Sequence, residues 1–185
     1  MEVYSANESI NEYLQMLMQL NLKLMDRKDT SSTSSYKTNK NKLINELNNF
    51  KENCLYKLKG KDLLLEFDHI LFVLMTILHH TRQLTINKDT NQYIAQSIVE
   101  TCFICLSVLL KHYQQVVSKN NISKKIDVFY FTLLVDNKSY FNLLQFILAY
   151  LPHHIILANK QYTLQEEIQL KALDLIQIML KLLAN

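Results

Sequence analysis

Two cysteines have the spacing used by metal and redox sites. Cys102 and Cys105 form a Cys-x-x-Cys pair, but the chain offers no second cysteine pair and no histidine at zinc-finger spacing. The pair also lies inside a strongly apolar stretch, where cysteine packs as a small apolar side chain. We therefore expect a structural role for the pair, and we expect the protein to hold no metal and no cofactor.

Histidines recur close to the predicted ends of three helices, at His79, His80, His112, His153 and His154. Stacking of those helices in parallel register would gather the imidazoles at one rim, as a metal site or a pH-sensitive edge. The more ordinary interpretation is capping, because cations are favoured at the C-terminal end of a helix. The chain has no His-Glu-x-x-His motif, so we expect surface or capping roles.

Glycine is nearly absent, with one glycine and one proline in 185 residues. Phosphate-binding loops and the nucleophile elbow of hydrolases both require several glycines, because the backbone must approach the ligand or turn sharply. The carboxylates lie mostly near predicted helix starts, where they interact favourably with the helix dipole. These observations predict a protein that is not an enzyme.

Positive charge is concentrated in the N-terminal third of the chain. Residues 37–61 carry seven lysines against two glutamates, whereas residues 62–185 carry ten basic and ten acidic side chains. Arginine, which dominates specific contacts to bases and phosphates, is absent from residues 37–61. The segment therefore predicts a basic face with weak attraction for nucleic acid or an acidic partner, formed by Lys51, Lys57, Lys59 and Lys61.

Apolar periodicity predicts an all-α fold of about seven helices, with no competing strand pattern. The helices are predicted at about 5–26, 42–59, 63–82, 90–118, 123–135, 139–151 and 164–183. The third is apolar almost all round, which predicts a central position. Gly60 follows the second helix, where a left-handed cap is expected. Similar apolar runs at 72–80, 104–112 and 146–154 leave two architectures open, an irregular helical bundle or a short stack of HEAT- or armadillo-like repeats.

Three segments follow from this pattern. Residues 1–26 are predicted as an N-terminal amphipathic helix, residues 27–42 as a flexible linker rich in Ser, Thr and Lys, and residues 43–185 as an all-helical core domain. The longest uncharged stretch, residues 139–159, contains polar side chains and a proline, so no membrane span is expected. An odd number of cysteines and the lack of a secretory signal predict an intracellular protein, in the nucleus or the cytoplasm.

The first helix carries a heptad seam, which is a stripe of side chains at alternating spacings of four and three residues. The seam consists of Ile10, Leu14, Leu17, Asn21 and Leu24. One interpretation packs this seam against the protein's own core. The other uses it to bind a partner or a second copy of the chain through residues 5–26, with Leu14, Leu17, Asn21 and Leu24 as the contact residues.

The function that these features favour is a non-enzymatic protein–protein interaction module, a subunit or adaptor of an intracellular complex. It would dock partners through its N-terminal helix or a helical-repeat face. One alternative is a weakly nucleic-acid-associated subunit that uses residues 37–61.

Size, helix number and an Asn/Ile/Lys-rich composition make the chain similar to the Bcl-2-like proteins that some large DNA viruses encode. That resemblance implies a compact helical inhibitor of host signalling or apoptosis. The chain departs from that family in lacking the Gly-Arg signature of its binding groove, and its last predicted helix is amphipathic rather than a membrane tail.

Overall fold

The computed structural model describes residues 3–26, 33–87, 92–120, 147 and 166–184, and these residues form helices and no strand. The all-α prediction is thereby confirmed. Five helices are α1 (Val3–Met25), α2 (Thr33–Phe50), α3 (Gly60–Asn87), α4 (Gln92–Asn120) and α5 (Glu166–Ala184). The helices predicted at 123–135 and 139–151 lie outside the described residues apart from Ile147, which is helical and buried. The number of seven helices and the repeat stack therefore stay predictions.

The chain divides into two compact units, Met1–Val108 and Leu109–Asn185. The first unit holds α1, α2, α3 and the first part of α4, and the second holds the rest of α4 and α5. Within the first unit, α1 packs against both α2 and α3. The rings of Tyr13 on α1 and Phe50 on α2 lie 6.3 Å apart, so the N-terminal helix forms part of a shared core.

α2 begins at Thr33, within the segment 27–42 that the sequence predicts to be a linker. Tyr36 explains the difference, because its side chain is buried and lies two helical turns before Leu43 on the same face. A single apolar side chain among Ser, Thr, Asn and Lys gives no periodic signal, so the sequence pattern missed it. Residues 27–32 lie outside the described residues.

A π-helical turn, Lys51–Leu55, extends α2. The backbone N–H of Tyr56 donates to the carbonyl oxygen of Lys51 at 3.1 Å, a bond that spans five residues. A turn with an extra residue lets two neighbours face inward, and both Cys54 and Leu55 are buried.

Gly60 adopts the left-handed conformation that its position predicts, with a φ of 58°. A Cβ atom at this position would meet no atom within 4 Å. The requirement for glycine is therefore conformational rather than steric, since any other residue would be strained at this φ. The residue joins the turn that follows α2 to the start of α3.

α3 and α4 bury three threonines by bonding each hydroxyl within its own helix. Thr76, Thr81 and Thr101 each donate to the carbonyl oxygen four residues earlier, at 2.8, 2.7 and 2.8 Å. Each bond gives the hydroxyl proton an acceptor within its own helix. α3 continues to Asn87, about five residues beyond the end at residue 82 that the sequence predicted.

The described part of the chain contains one segment, Gly60–Thr81, that is long enough and apolar enough to cross a membrane, judged by length and composition alone. More than half of this segment is buried inside the protein. The core helix of a soluble protein passes the same test.

Candidate functional site

The α1 seam lies inside the first unit. Leu14, Leu17, Asn21 and Leu24, the residues predicted to bind a partner, are all buried, as is Ile10. They occupy one face of the helix that packs against α2 and α3. A partner or a second copy would reach these side chains only if α1 left the unit, so their burial supports the interpretation that places them in the protein's own core.

Asn21 is the polar member of this seam and is paired across the α1–α3 interface. Its Nδ2 atom donates to Nδ1 of His80 at 2.7 Å. The Oδ1 atom of Asn21 is buried and has no hydrogen-bond partner among the described residues. Burial, followed by the charge of His79, lowers the pKa of His80 below its usual value. The neutral imidazole is therefore the form that the core holds, with Nδ1 as the acceptor.

The predicted basic face separates into two parts. The side chain of Lys51 is only 16% exposed, lies 3.3 Å from a carboxylate oxygen of Glu52, and donates to Asn48. By contrast, Lys57, Lys59 and Lys61 are exposed in and after the turn that precedes α3. Lys51 thus belongs to a partly buried polar cluster, and the other three lysines form the accessible cationic surface.

α3 presents an exposed face that begins at Lys61, the last lysine of this cationic surface. Lys61, Leu65, Asp68 and Phe72 recur at spacings of four, three and four residues, which places them on one side of the helix. Leu65 is 71% exposed and Phe72 is 54% exposed. We call these four residues the α3 face. Its length from Lys61 to Phe72 is about 16 Å, at a rise of about 1.5 Å per residue.

Sequence reasoning missed the apolar residues of the α3 face for a physical reason. α3 is apolar almost all round, and a helix of that kind is expected to be covered on every side. Its opposite side is buried, with Phe67, Ile70 and Leu74 in the core. Hydrophobicity alone cannot identify the side that the fold leaves open.

The three cysteines are reduced and buried. Burial raises the pKa of Cys102 well above its usual value, and burial outweighs the charge of Lys51 to raise the pKa of Cys105 to about 12. The Sγ atom of Cys105 lies 3.7 Å from the carbonyl oxygen of Leu47. Thiols in this state are poor nucleophiles and poor metal ligands, because both roles require the thiolate. The burial of both cysteines of the Cys-x-x-Cys pair agrees with the packing role expected from the sequence.

Three of the histidines, His79, His80 and His112, do not lie at the helix ends where the sequence predicted them. α3 continues seven residues beyond His80, and α4 continues eight residues beyond His112, so these histidines are not at helix ends. His153 and His154 lie outside the described residues. No cluster of three or more His, Cys, Asp or Glu side chains able to hold a metal ion occurs among the residues described.

Compared with known proteins, the chain matches no family model, no curated protein and no solved structure.

Proposed function

We propose that the chain is a non-enzymatic interaction module that docks an acidic protein partner. The docking surface consists of the α3 face together with Lys57 and Lys59 in the preceding turn. This proposal keeps the class of function that the sequence favours and moves the contact from α1 to α3.

The observation that carries the proposal is the exposure of Leu65 and Phe72 on one face of a helix whose opposite face is buried. Clustered exposed apolar side chains at helical spacing are typical of contact surfaces for other proteins. Covering a leucine or phenylalanine side chain stabilises a complex by about 1.5–3 kcal/mol. The two side chains therefore supply the apolar part of the contact, and the lysines around them supply the rest of the binding free energy.

Charge indicates the chemistry of the partner. Among the described residues, no carboxylate forms an ion pair with Lys57, Lys59 or Lys61. A partner segment with apolar side chains flanked by Asp or Glu would complement both the lysines and the apolar residues. Complementary charges mainly raise the rate of association and fix orientation, and salt weakens them.

The test uses the full chain as bait to capture a protein partner, once at low salt and once at high salt. The variant Lys57→Glu/Lys59→Glu/Lys61→Glu should lose the captured partner, and capture by the wild type should fall as salt rises. A matched control makes the same change of charge at exposed lysines elsewhere in the first unit, with Lys23, Lys37 and Lys42 replaced by Glu. The control should retain the partner.

Two results would overturn the proposal. Equal capture by the wild type and by the reversal at 57, 59 and 61 would show that these lysines do not contribute. Loss of all captured material after nuclease treatment would instead favour the weak nucleic-acid association predicted as an alternative for the basic segment.

A further inference from the structure

α5 carries apolar side chains on two opposite faces. The buried face consists of Ile168, Ala172, Leu175, Ile178 and Met179. A helix on the surface of a globular protein normally needs only one such stripe. The second stripe on α5 therefore requires a separate explanation.

The second stripe faces solvent and has coiled-coil spacing. Leu170, Leu173 and Leu180 are 61%, 51% and 56% exposed, and Gln177 between them is also exposed. Their successive spacings of three, four and three residues form a heptad seam, the pattern by which two helices supercoil. We call these four residues the α5 seam. The seam in α1 has the same kind of spacing, but it is already buried by α2 and α3.

We propose that the α5 seam pairs in parallel with the α5 seam of a second copy of this chain. Two-fold symmetry then places each leucine against its own counterpart, and Gln177 against the Gln177 of the second copy. A side-chain amide both donates and accepts, so two facing glutamines satisfy each other. One polar pair in an apolar seam fixes the register, at some cost in stability.

Charge selects the parallel orientation over the antiparallel one. Asp174 is exposed beside the seam. An antiparallel pair centred on the seam would place Asp174 against the same carboxylate of the second copy, and Gln177 against Leu173. In the parallel pair, side chains that flank the seam meet across it with an offset of five residues. Asp174 therefore lies beside Gln169 of the second copy, whose amide can donate to the carboxylate. The parallel pair thus avoids both the repulsion and an unpaired amide.

The length of the α5 seam sets the expected strength of the dimer. From Leu170 to Leu180 the seam spans about 15 Å, at about 1.5 Å per residue. Three leucines from each copy make a small interface compared with stable dimers, which bury about 1,200–2,000 Å² in total. We therefore expect a dimer that dissociates in the micromolar range.

Sedimentation equilibrium on the full chain tests the interface. The wild type should be mostly dimeric at about 100 µM. The variant Leu173→Lys/Leu180→Lys should be monomeric at that concentration. Its melting temperature should match that of the wild type when both are diluted until the wild type is also monomeric, because both positions are at least half exposed. The control Leu22→Lys, an exposed leucine on α1, should dimerise like the wild type. A wild type that stays monomeric at about 1 mM would overturn the proposal.

Disulfide trapping tests the orientation. Mild oxidation with copper–phenanthroline should link two copies of the variant Gln177→Cys, because the parallel pair brings these positions together, and should not link Leu22→Cys. The native cysteines are buried and should not interfere. A dimer that persists without cross-linking through position 177 would contradict the parallel arrangement. Substitutions on the α3 face should leave the dimer intact, so the two proposals can fail separately.

Discussion

Asn21 and His80 form a hydrogen bond of 2.7 Å between α1 and α3, in an interface that is otherwise largely apolar. The bond requires a neutral imidazole whose Nδ1 atom accepts from the amide. Protonation of His80 would make both ring nitrogens donors, and Nδ1 would then oppose the amide N–H of Asn21. The pair therefore links the charge of one histidine to the packing of two helices.

Stability is expected to fall as the pH drops below about 6.5, the usual pKa of histidine. The folded state lowers the pKa of His80, so the unfolded chain binds a proton at a higher pH than the folded chain. The stabilisation is complete above the unfolded pKa and is lost as the pH falls toward the folded pKa. Thermal melting between pH 7.5 and pH 5 measures this effect.

His80→Gln is the informative variant for this pH effect, because an amide can still bond to Asn21 and does not titrate. Its melting temperature should depend less on pH than that of the wild type. His79→Gln serves as the control and should keep most of the dependence. Identical pH profiles for the wild type and His80→Gln would contradict the assignment.

Leu17→Asp is expected to unfold the first unit. Leu17 is fully buried, and a carboxylate at this position would be buried without a partner. Substitutions of this kind cost about 4 kcal/mol or more, against a typical total stability of about 5–15 kcal/mol. Circular dichroism should show loss of cooperative melting, whereas Leu22→Asp, at a position that is 56% exposed on the same helix, should melt like the wild type. Normal melting of Leu17→Asp would contradict the placement of α1 in the core.

Tyr36→Phe is expected to stabilise the protein by about 1 kcal/mol. The hydroxyl oxygen of Tyr36 is buried and has no hydrogen-bond partner among the described residues. A buried polar group without a partner costs about 1–3 kcal/mol, and Phe removes it while the ring still fills the space. Chemical denaturation should show a higher midpoint with an unchanged slope. A lower midpoint would show that the hydroxyl is bonded.

The cysteines are expected to resist thiol reagents until the protein unfolds. Cys102 and Cys105 are fully buried, and burial keeps both as thiols at neutral pH. Labelling with an aromatic disulfide reagent should be slow in buffer and should reach three thiols per chain in denaturant. Rapid labelling of the native protein at residue 102 or 105 would contradict the packing described for α4.

Sequence patterns predicted the parts of this fold that repeat along a helix. The α1 seam has the expected spacing, and Gly60 has the expected backbone conformation, because both depend on local chemistry. Tyr36 at the start of α2 and the π turn at Lys51–Leu55 were missed, since a lone aromatic residue and an extra residue in a turn leave no periodic trace.

The location of the candidate site could be predicted from the sequence even less well than the fold, because it depends on tertiary structure. Leu17 and Leu65 look equivalent in the sequence, as leucines on apolar helix stripes, yet one is buried and the other is 71% exposed. Only the packing of α1 against α2 and α3 separates them. The sequence could therefore indicate apolar helical surfaces and could not say which of them the fold leaves open.

The claim that the α3 face docks a partner is tested most directly by the affinity of the captured partner for the variant Leu65→Ala/Phe72→Ala. Alanine preserves the helix, and more than half of each side chain that the variant truncates is exposed. Calorimetric titration should show a dissociation constant at least about 30-fold above the wild-type value, equivalent to about 2 kcal/mol. Leu22→Ala, the matched control on α1, should bind within about twofold of the wild type. Wild-type affinity in Leu65→Ala/Phe72→Ala would show that the α3 face is not the docking surface.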